Sequence, residues 1–372
     1  MKVIFITNYA IFHEVDLWNS FASQGGEHLS FFFVATAELS EDRIKMGYKE
    51  IDKPFIVHSQ KMTETQLQVL FCDVDIIVLS DCVDERLTKF LNFAKYIFIK
   101  TEHVSKEKNL RCFLSIRKFF LKLYNEFPRS KLYLLAASYY AALDFGHNFF
   151  PKDHIYKSGY FPHIQIASNH ETRNSFDLLW CGRLLDWKRP DMAVFSLKTL
   201  LTKDDRYHLT IVGDGPEKMK LNKIIFSYGL SNKVTIRPFE PHDEILNVMR
   251  HSSIYLMTSN KEEGWGVVLN EALASGCVCF ASSLAGATNF LVNDKKNGFV
   301  FSNKNELKNA LISFTQMDDS RINQVRATAI TTIRDLWSPE IMAKRLLEVC
   351  YGLCSHSSLP QYAKGPMSRF YE

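Results

Sequence analysis

The strongest constraint on this chain is an alternation of short apolar stretches with amphipathic ones, run through twice. In the first half, apolar runs fall at residues 2–7, 29–35, 54–58, 74–80, 96–100 and 132–137, with helix-like patterns at 14–24, 64–72 and 84–93. Short apolar runs with no polar alternation suit strands buried on both faces, covered by the helices between them. That combination gives a parallel sheet in an α/β layer structure. A polar stretch at 163–175 then reads as a linker. Beyond it, strands are expected at 177–181, 208–212, 233–237, 254–258 and 278–281, and helices at 191–202, 216–228, 242–250 and 265–274. The sequence therefore predicts two Rossmann-like, doubly wound domains, at 1–165 and 166–350. A tail, 351–372, is expected to pack back on the first. A length of 372 residues suits two domains better than one.

Composition excludes several classes. With 46% hydrophobic and 23% charged residues the chain has an ordinary globular make-up. No uninterrupted apolar run approaches the roughly 18 residues of a spanning helix. The first residues lack a signal-peptide pattern, so a cytoplasmic location is expected, with a peripheral place at the inner membrane face as an option. The eight cysteines, among them Cys277, Cys279, Cys350 and Cys354, have no zinc-site spacing, and free thiols are expected. A net charge of +4 is too small to imply nucleic acid as a partner. Gly-x-Gly-x-x-Gly is absent, which disfavours a dinucleotide oxidoreductase, and no Asp-x-Asp with the context of a metal motif stands out.

One segment of the second series concentrates chemistry. Glu263 and Glu271 are separated by seven residues, with Gly264, Trp265, Gly266 and Val267 after the first and a helix-like run to Gly276 around the second. At about 1.5 Å per helical residue, eight steps cover roughly 12 Å, about the reach from the sugar of a nucleotide-sugar to its ribose. A helix start between them would leave N–H groups for a diphosphate. Carboxylates accept strong hydrogen bonds from hydroxyls. Glu-x7-Glu alone is common on solvated helices; the Gly-Trp-Gly insert and the preceding strand lift the pattern above chance.

Upstream, the strand ending at Cys181 opens into Gly182, Arg183 and Lys188, ahead of a helix starting at Pro190. Cations there suit a leaving diphosphate, whose negative charge grows in the transition state. A solvated basic loop is the alternative. The strand at 209–212 ends in Gly213-Asp214-Gly215-Pro216, where the glycines let backbone approach a ligand closely. Phe239 follows the strand at 234–237; it can pack on a base, although a buried aromatic is the commoner case.

Taken in this order, the segments resemble the glutamate–seven–glutamate signature of retaining GT-B glycosyltransferases, in particular glycosyltransferase family 4 and its bacterial polysaccharide members. The resemblance covers roughly residues 176–345 and touches 141–145 and 157–162. It implies a GT-B fold with a cleft between two domains. Glu263 would contact the donor sugar and Glu271 the ribose, while Arg183 and Lys188 would meet the phosphates. Gly182, Gly213, Gly215, Phe239 and the run Gly264, Trp265, Gly266, Val267 would surround the donor. The sequence departs from the family at Arg189, where glycine is usual, and at residues 8–14, where the family's glycine-rich loop is missing.

The first domain is expected to bind the acceptor. Glu102 and His103 follow a strand and resemble a Ser-Glu-Arg element of related enzymes. His13 begins a helix, and Asp81 ends a strand. A structural role is the alternative for each. The stretch 105–131, opening at Ser105 and closing at Lys131, mixes Arg117, Lys118 and Lys122 with Phe119, Phe120 and Leu121. It suits a helix with a core face and a solvated basic face, or one lying on an anionic membrane surface. Pro128 should end it near Phe127. The expected activity is a retaining, metal-independent hexosyltransferase. It would move a hexose from a UDP- or GDP-linked sugar to a glycan or lipid-linked saccharide, with no cofactor beyond that nucleotide-sugar co-substrate. A non-catalytic nucleotide-sugar-binding protein and a nucleotide-sugar epimerase on the same fold are the alternatives.

Overall fold

The computed structural model describes residues 1–10, 14–39, 41, 44, 51–80, 85–102, 110–164 and 174–371. The chain opens with β1 (Lys2–Thr7), α1 (Val15–Gly25), β2 (Ser30–Ala35), β3 (Ile56–His58), α2 (Glu64–Phe71), β4 (Ile76–Ser80) and α3 (Glu85–Thr88). It continues with β5 (Tyr96–Thr101), α4 (Leu110–Glu126), β6 (Leu132–Ala136), α5 (Tyr139–Phe149) and β7 (Ile155–Lys157). Then come β8 (Asn174–Cys181), α6 (Pro190–Leu200), β9 (His208–Val212), α7 (Lys218–Ser227), β10 (Val234–Arg237), α8 (His242–His251) and β11 (Ser252–Met257). The last part holds α9 (Val268–Ala274), β12 (Val278–Ser282), α10 (Thr288–Leu291), β13 (Phe299–Phe301), α11 (Lys304–Phe314), α12 (Asp319–Asp335) and α13 (Pro339–Cys354).

These elements form two compact units, one of residues 1–163 with 337–372 and one of residues 164–336. The first carries a parallel sheet in the order β3-β2-β1-β4-β5-β6-β7. Ile4, Ile77, Ile97 and Leu134, on four adjacent strands, are wholly buried, as a sheet covered on both faces requires. A capping box starts α2: the Thr63 hydroxyl accepts from the Gln66 amide while the Gln66 side chain accepts from the Thr63 amide. The free edge of β7 is closed by the C-terminal residues, where the Lys157 amide donates to Ser368 O at 2.8 Å and the Phe370 amide to Ile155 O at 2.9 Å. Covering an edge strand in this way removes a template for unwanted pairing.

The sequence-based boundary at residue 350 falls inside α13, and the structure moves it. This helix packs along α1, and the Gln24 side chain donates to Glu340 O at 3.1 Å. Trp337, just before it, stacks on Phe161 with ring centroids 6.3 Å apart. The apolar face of α13 is thus buried in the first unit, and the second unit ends at Leu336.

The second unit's sheet runs β10-β9-β8-β11-β12-β13, again all parallel. Strand order reverses between β8 and β11 here, and between β1 and β4 in the first unit. In open α/β sheets the crevice at such a reversal, outside the carboxyl ends of the strands, is where ligands bind.

Candidate active site

The carboxyl ends of β8 and β11 are tied to the loop between β8 and α6 by a polar chain. The Trp180 indole N–H donates to the Thr258 hydroxyl at 2.9 Å, and that hydroxyl donates to Lys188 O at 2.7 Å. The Asn260 amide donates to Trp187 O at 2.8 Å. The loop is thereby fixed over the strand reversal, and Lys188 is aimed with it. Lys188 Nζ meets Glu263 Oε2 at 2.7 Å and lies 4.7 Å from the centre of the Trp187 ring. The Ser259 hydroxyl donates to the same Glu263 oxygen at 2.8 Å. Two residues singled out from sequence, 75 positions apart, are therefore in direct contact. Arg183, on the same loop, is exposed and has no ion-pair or hydrogen-bond partner for its guanidinium among the described residues.

Glu271 sits on α9 with its side chain only 4% exposed, and its Oε1 lies 2.9 Å from Nε2 of His242, the first residue of α8. The hydrogen bond from Glu271 holds His242 above the ordinary histidine value, against the pull of partial burial. The two glutamates share one neighbourhood. The buried Tyr255 hydroxyl is driven well above its usual range, first by burial, then by Cys181, Cys279, Glu271 and Glu263. The Cys181 thiol, ending β8, is pushed up to about 12 by burial and then by Glu271, with Lys188 opposing. Each glutamate has one oxygen engaged. Among the described residues Glu263 Oε1 and Glu271 Oε2 accept no hydrogen bond, and neither is sealed from solvent. The amides of Gly266, Val267 and Val268 likewise donate to nothing among the described residues.

The geometry also changes several sequence-based readings. The expected helix at 265–274 begins only at Val268, so the span from Glu263 to Glu271 is part loop and the roughly 12 Å helical rise does not measure it. Trp265 is 1% exposed and its indole N–H donates to Asn270 Oδ1 at 2.8 Å. Its ring is core, and only its backbone is left to line a site. Phe239 is 51% exposed, so the buried-aromatic reading fails and its ring stays open to a base. Gly213 and Gly215 admit the chain's own backbone: a Cβ at either would strike the carbonyl oxygen of Gly182 or Leu184 respectively. Through them the two loops join, with the Gly182 amide donating to Val212 O at 3.0 Å and the Leu184 amide to Asp214 O at 2.8 Å. Arg189 adopts φ 52° and ψ 54°, the left-handed conformation that the usual glycine supplies without strain. The loop keeps its glycine shape with an arginine in it. Among the described residues no three His, Cys, Asp or Glu side chains gather as a metal site.

In the first unit the carboxyl edge holds a pair that sequence reasoning did not single out. Lys100, near the end of β5, contacts the carboxylate of Glu14, the N-cap residue of α1, and both are buried. Lys100 Nζ also lies 4.5 Å from the centre of the Tyr160 ring. Burial pushes the Lys100 ammonium down. Glu102 follows β5 and is half-buried. His13, Asp81 and His103 lie outside the described residues, as do residues 105–109. In the described part of α4, Phe120 and Leu123 face the core while Lys118, Leu121 and Lys122 are exposed.

Residues 164–329 match the family Glycosyl transferases group 1, and this span nearly coincides with the second unit. Among curated proteins, the chain is similar to the GPI3 subunit of phosphatidylinositol N-acetylglucosaminyltransferase from Saccharomyces cerevisiae, 22% identical over 50% of this chain and 41% of that one. It is also similar to alpha-D-kanosaminyltransferase from Streptomyces kanamyceticus, 25% identical over 40% of this chain and 42% of that one. The chain thus spans about two fifths of the length of these relatives. Among solved structures, HepE from Anabaena in complex with UDP aligns with TM-score 0.69 at 16% identity, over 95% of this chain and all of that one. A glycosyltransferase from Rickettsia africae aligns with TM-score 0.66 at 16% identity, over 96% of this chain and 99% of that one. Two parallel sheets in two units and structural neighbours of this kind lead to one conclusion: the chain has a GT-B fold, and its residues 164–329 match the Glycosyl transferases group 1 family.

Proposed function

We propose that the chain is a retaining, metal-independent hexosyltransferase that moves a hexose from a UDP- or GDP-linked sugar to a glycan or lipid-linked saccharide. The observation that carries this reading is the pair of half-engaged carboxylates, Glu263 and Glu271, beside Lys188 at the strand reversal of the second unit. Glu263 Oε1 would accept from a sugar hydroxyl and Glu271 Oε2 from a ribose hydroxyl. Arg183, exposed on the same loop, would take the phosphates together with Lys188 and the amides of Gly266 to Val268, and Phe239 would meet the base. In the reaction the C1–O bond to phosphate breaks and a C1–O bond to the acceptor oxygen forms on the same face. The acceptor proton passes to an oxygen of the departing nucleoside diphosphate. Arg183 and Lys188 would stabilise the charge that grows on that group. No cofactor is needed for these steps.

The lipid-linked class of acceptor draws support from α4, whose exposed Lys118, Leu121 and Lys122 suit an anionic surface. Among the described residues no helix is long and apolar enough to cross a membrane. Replacing Arg117, Lys118 and Lys122 by glutamate should release the chain from anionic vesicles at low salt. No binding of the unaltered chain to such vesicles would remove the membrane partner.

Product analysis tests the whole reading. The chain is mixed with UDP- and GDP-hexoses and saccharide acceptors, with and without a chelator, and the products are followed by proton NMR. A glycoside with the donor's anomeric configuration, formed equally with chelator, is expected. An inverted product removes the retaining assignment. An isomerised donor sugar favours an epimerase, and binding without any turnover favours a non-catalytic binding protein.

A further inference from the structure

We propose that His242 is a positioning residue for Glu271, fixing which carboxylate oxygen faces the ribose of the nucleotide. The inference rests on the donor reading above and adds a residue to it. Glu271 is almost wholly buried, so its carboxylate has few directions to face. A carboxylate can rotate and offer either oxygen to a ligand. The 2.9 Å contact with His242 Nε2 commits Oε1 and leaves Oε2 as the oxygen without a partner among the described residues. The imidazole is well placed for this. It stands at the first residue of α8, and α8 packs on α9, which carries Glu271. Its side chain is 33% exposed, so the contact lies at the border between core and solvent rather than inside the core.

Helix starts normally disfavour a cationic histidine, since the N-terminal end of a helix is positive. Glu271 overcomes that, and the Asp243 charge works in the same direction. A purely structural pair would leave nucleotide recognition untouched once the fold was kept. A positioning pair instead couples His242 to the ribose hydroxyls alone.

The test uses the whole 372-residue chain, with UDP and GDP and their 2′,3′-dideoxy analogues titrated calorimetrically against wild type, His242→Ala and His242→Gln. Glutamine keeps a side-chain N–H for Glu271, whereas alanine does not. His242→Ala should bind the ribonucleotide roughly tenfold more weakly, the effect of about one hydrogen bond, and bind the dideoxy analogue as wild type does. His242→Gln should restore most of the difference. Equal weakening for ribo and dideoxy forms would overturn the proposal, since it would mark a general structural defect. Unchanged affinity for all ligands would overturn it as well. A wild-type chain that binds ribo and dideoxy forms equally, or neither, would instead refute the donor reading, and the role of His242 with it.

Discussion

Each sheet places a lysine–glutamate pair near its carboxyl edge, but the two pairs differ in kind. In the first unit Lys100 comes from strand β5 itself, its side chain 3% exposed, and Glu14 stands at the N-cap position of α1. In the second, Lys188 comes from a loop, with its side chain 14% exposed. Glu263 there is also held by Ser259 and keeps a second oxygen within reach of solvent. The first pair is closed: burying both charges is costly, and each partner mainly compensates the other. The second pair is open, since one carboxylate oxygen remains for a ligand hydroxyl. A buried charge pair alone therefore carries no proposal of binding; the donor reading rests on the unspent acceptor beside the second pair.

The largest expected effect would break the closed pair. Lys100→Met leaves Glu14 buried without its counter-charge and should cost about 3–5 kcal/mol. Adding Glu14→Leu should return most of that loss. Urea unfolding read through hydrogen exchange of the β5 amides checks both variants. If the single change costs under about 1 kcal/mol, the pair is not closed as described. A smaller effect is expected where the open site is framed. Gly213→Ala should destabilise the second unit by about 1–3 kcal/mol, because its methyl meets the Gly182 carbonyl and the two loops must part. Exchange at the Gly182 and Leu184 amides should rise with it, and unchanged protection there would count against the joined-loop account.

The open site was the more legible of the two. Apart from Glu271 on α9, the residues singled out for it stand between the strands and α-helices from 182 to 267, where glycine, proline and charge have few other reasons to cluster. Contact between residues far apart in sequence was not legible. No spacing rule joins His242 to Glu271 across 29 positions, or Lys100 to Glu14 across 86. The one hint for the second pair was a lysine ending an otherwise apolar strand run, with a glutamate opening a helix. The orientation of Trp265 was misjudged for a related reason: its place in the motif suggested the ligand, whereas its bulk and the Asn270 acceptor took it inward. Strands β7 and β13, three residues each, went unseen, whereas β3, equally short, lies within the longer apolar run 54–58. The boundary near 350 was misplaced because α13 looks like any amphipathic helix until its partner α1 is known.

A further change would sharpen the account of the loop that carries Lys188. Arg189→Gly should stabilise the second unit by about 1 kcal/mol, since a left-handed residue other than glycine carries a cost of that order. Thermal unfolding checks the sign, and a lower midpoint would contradict it. The smallest effect concerns pH. His242 is held above its ordinary value of 6.5 by Glu271, with Asp243 adding to it. Its contribution to stability is therefore fully present below pH 6.5 and is lost as pH rises through the raised value. His242→Gln should flatten this part of the pH–stability curve, and an identical curve in the variant would show that the pair does not titrate as described.

In the proposed function the second unit holds a nucleotide through Glu271. Calorimetric titration of UDP and GDP into wild type and Glu271→Ala tests it most directly. The account predicts that the variant binds its preferred nucleotide about 1.5–3 kcal/mol more weakly, the range for a hydrogen bond to a charged group. Equal affinity in the two proteins, with the variant folded, would contradict it.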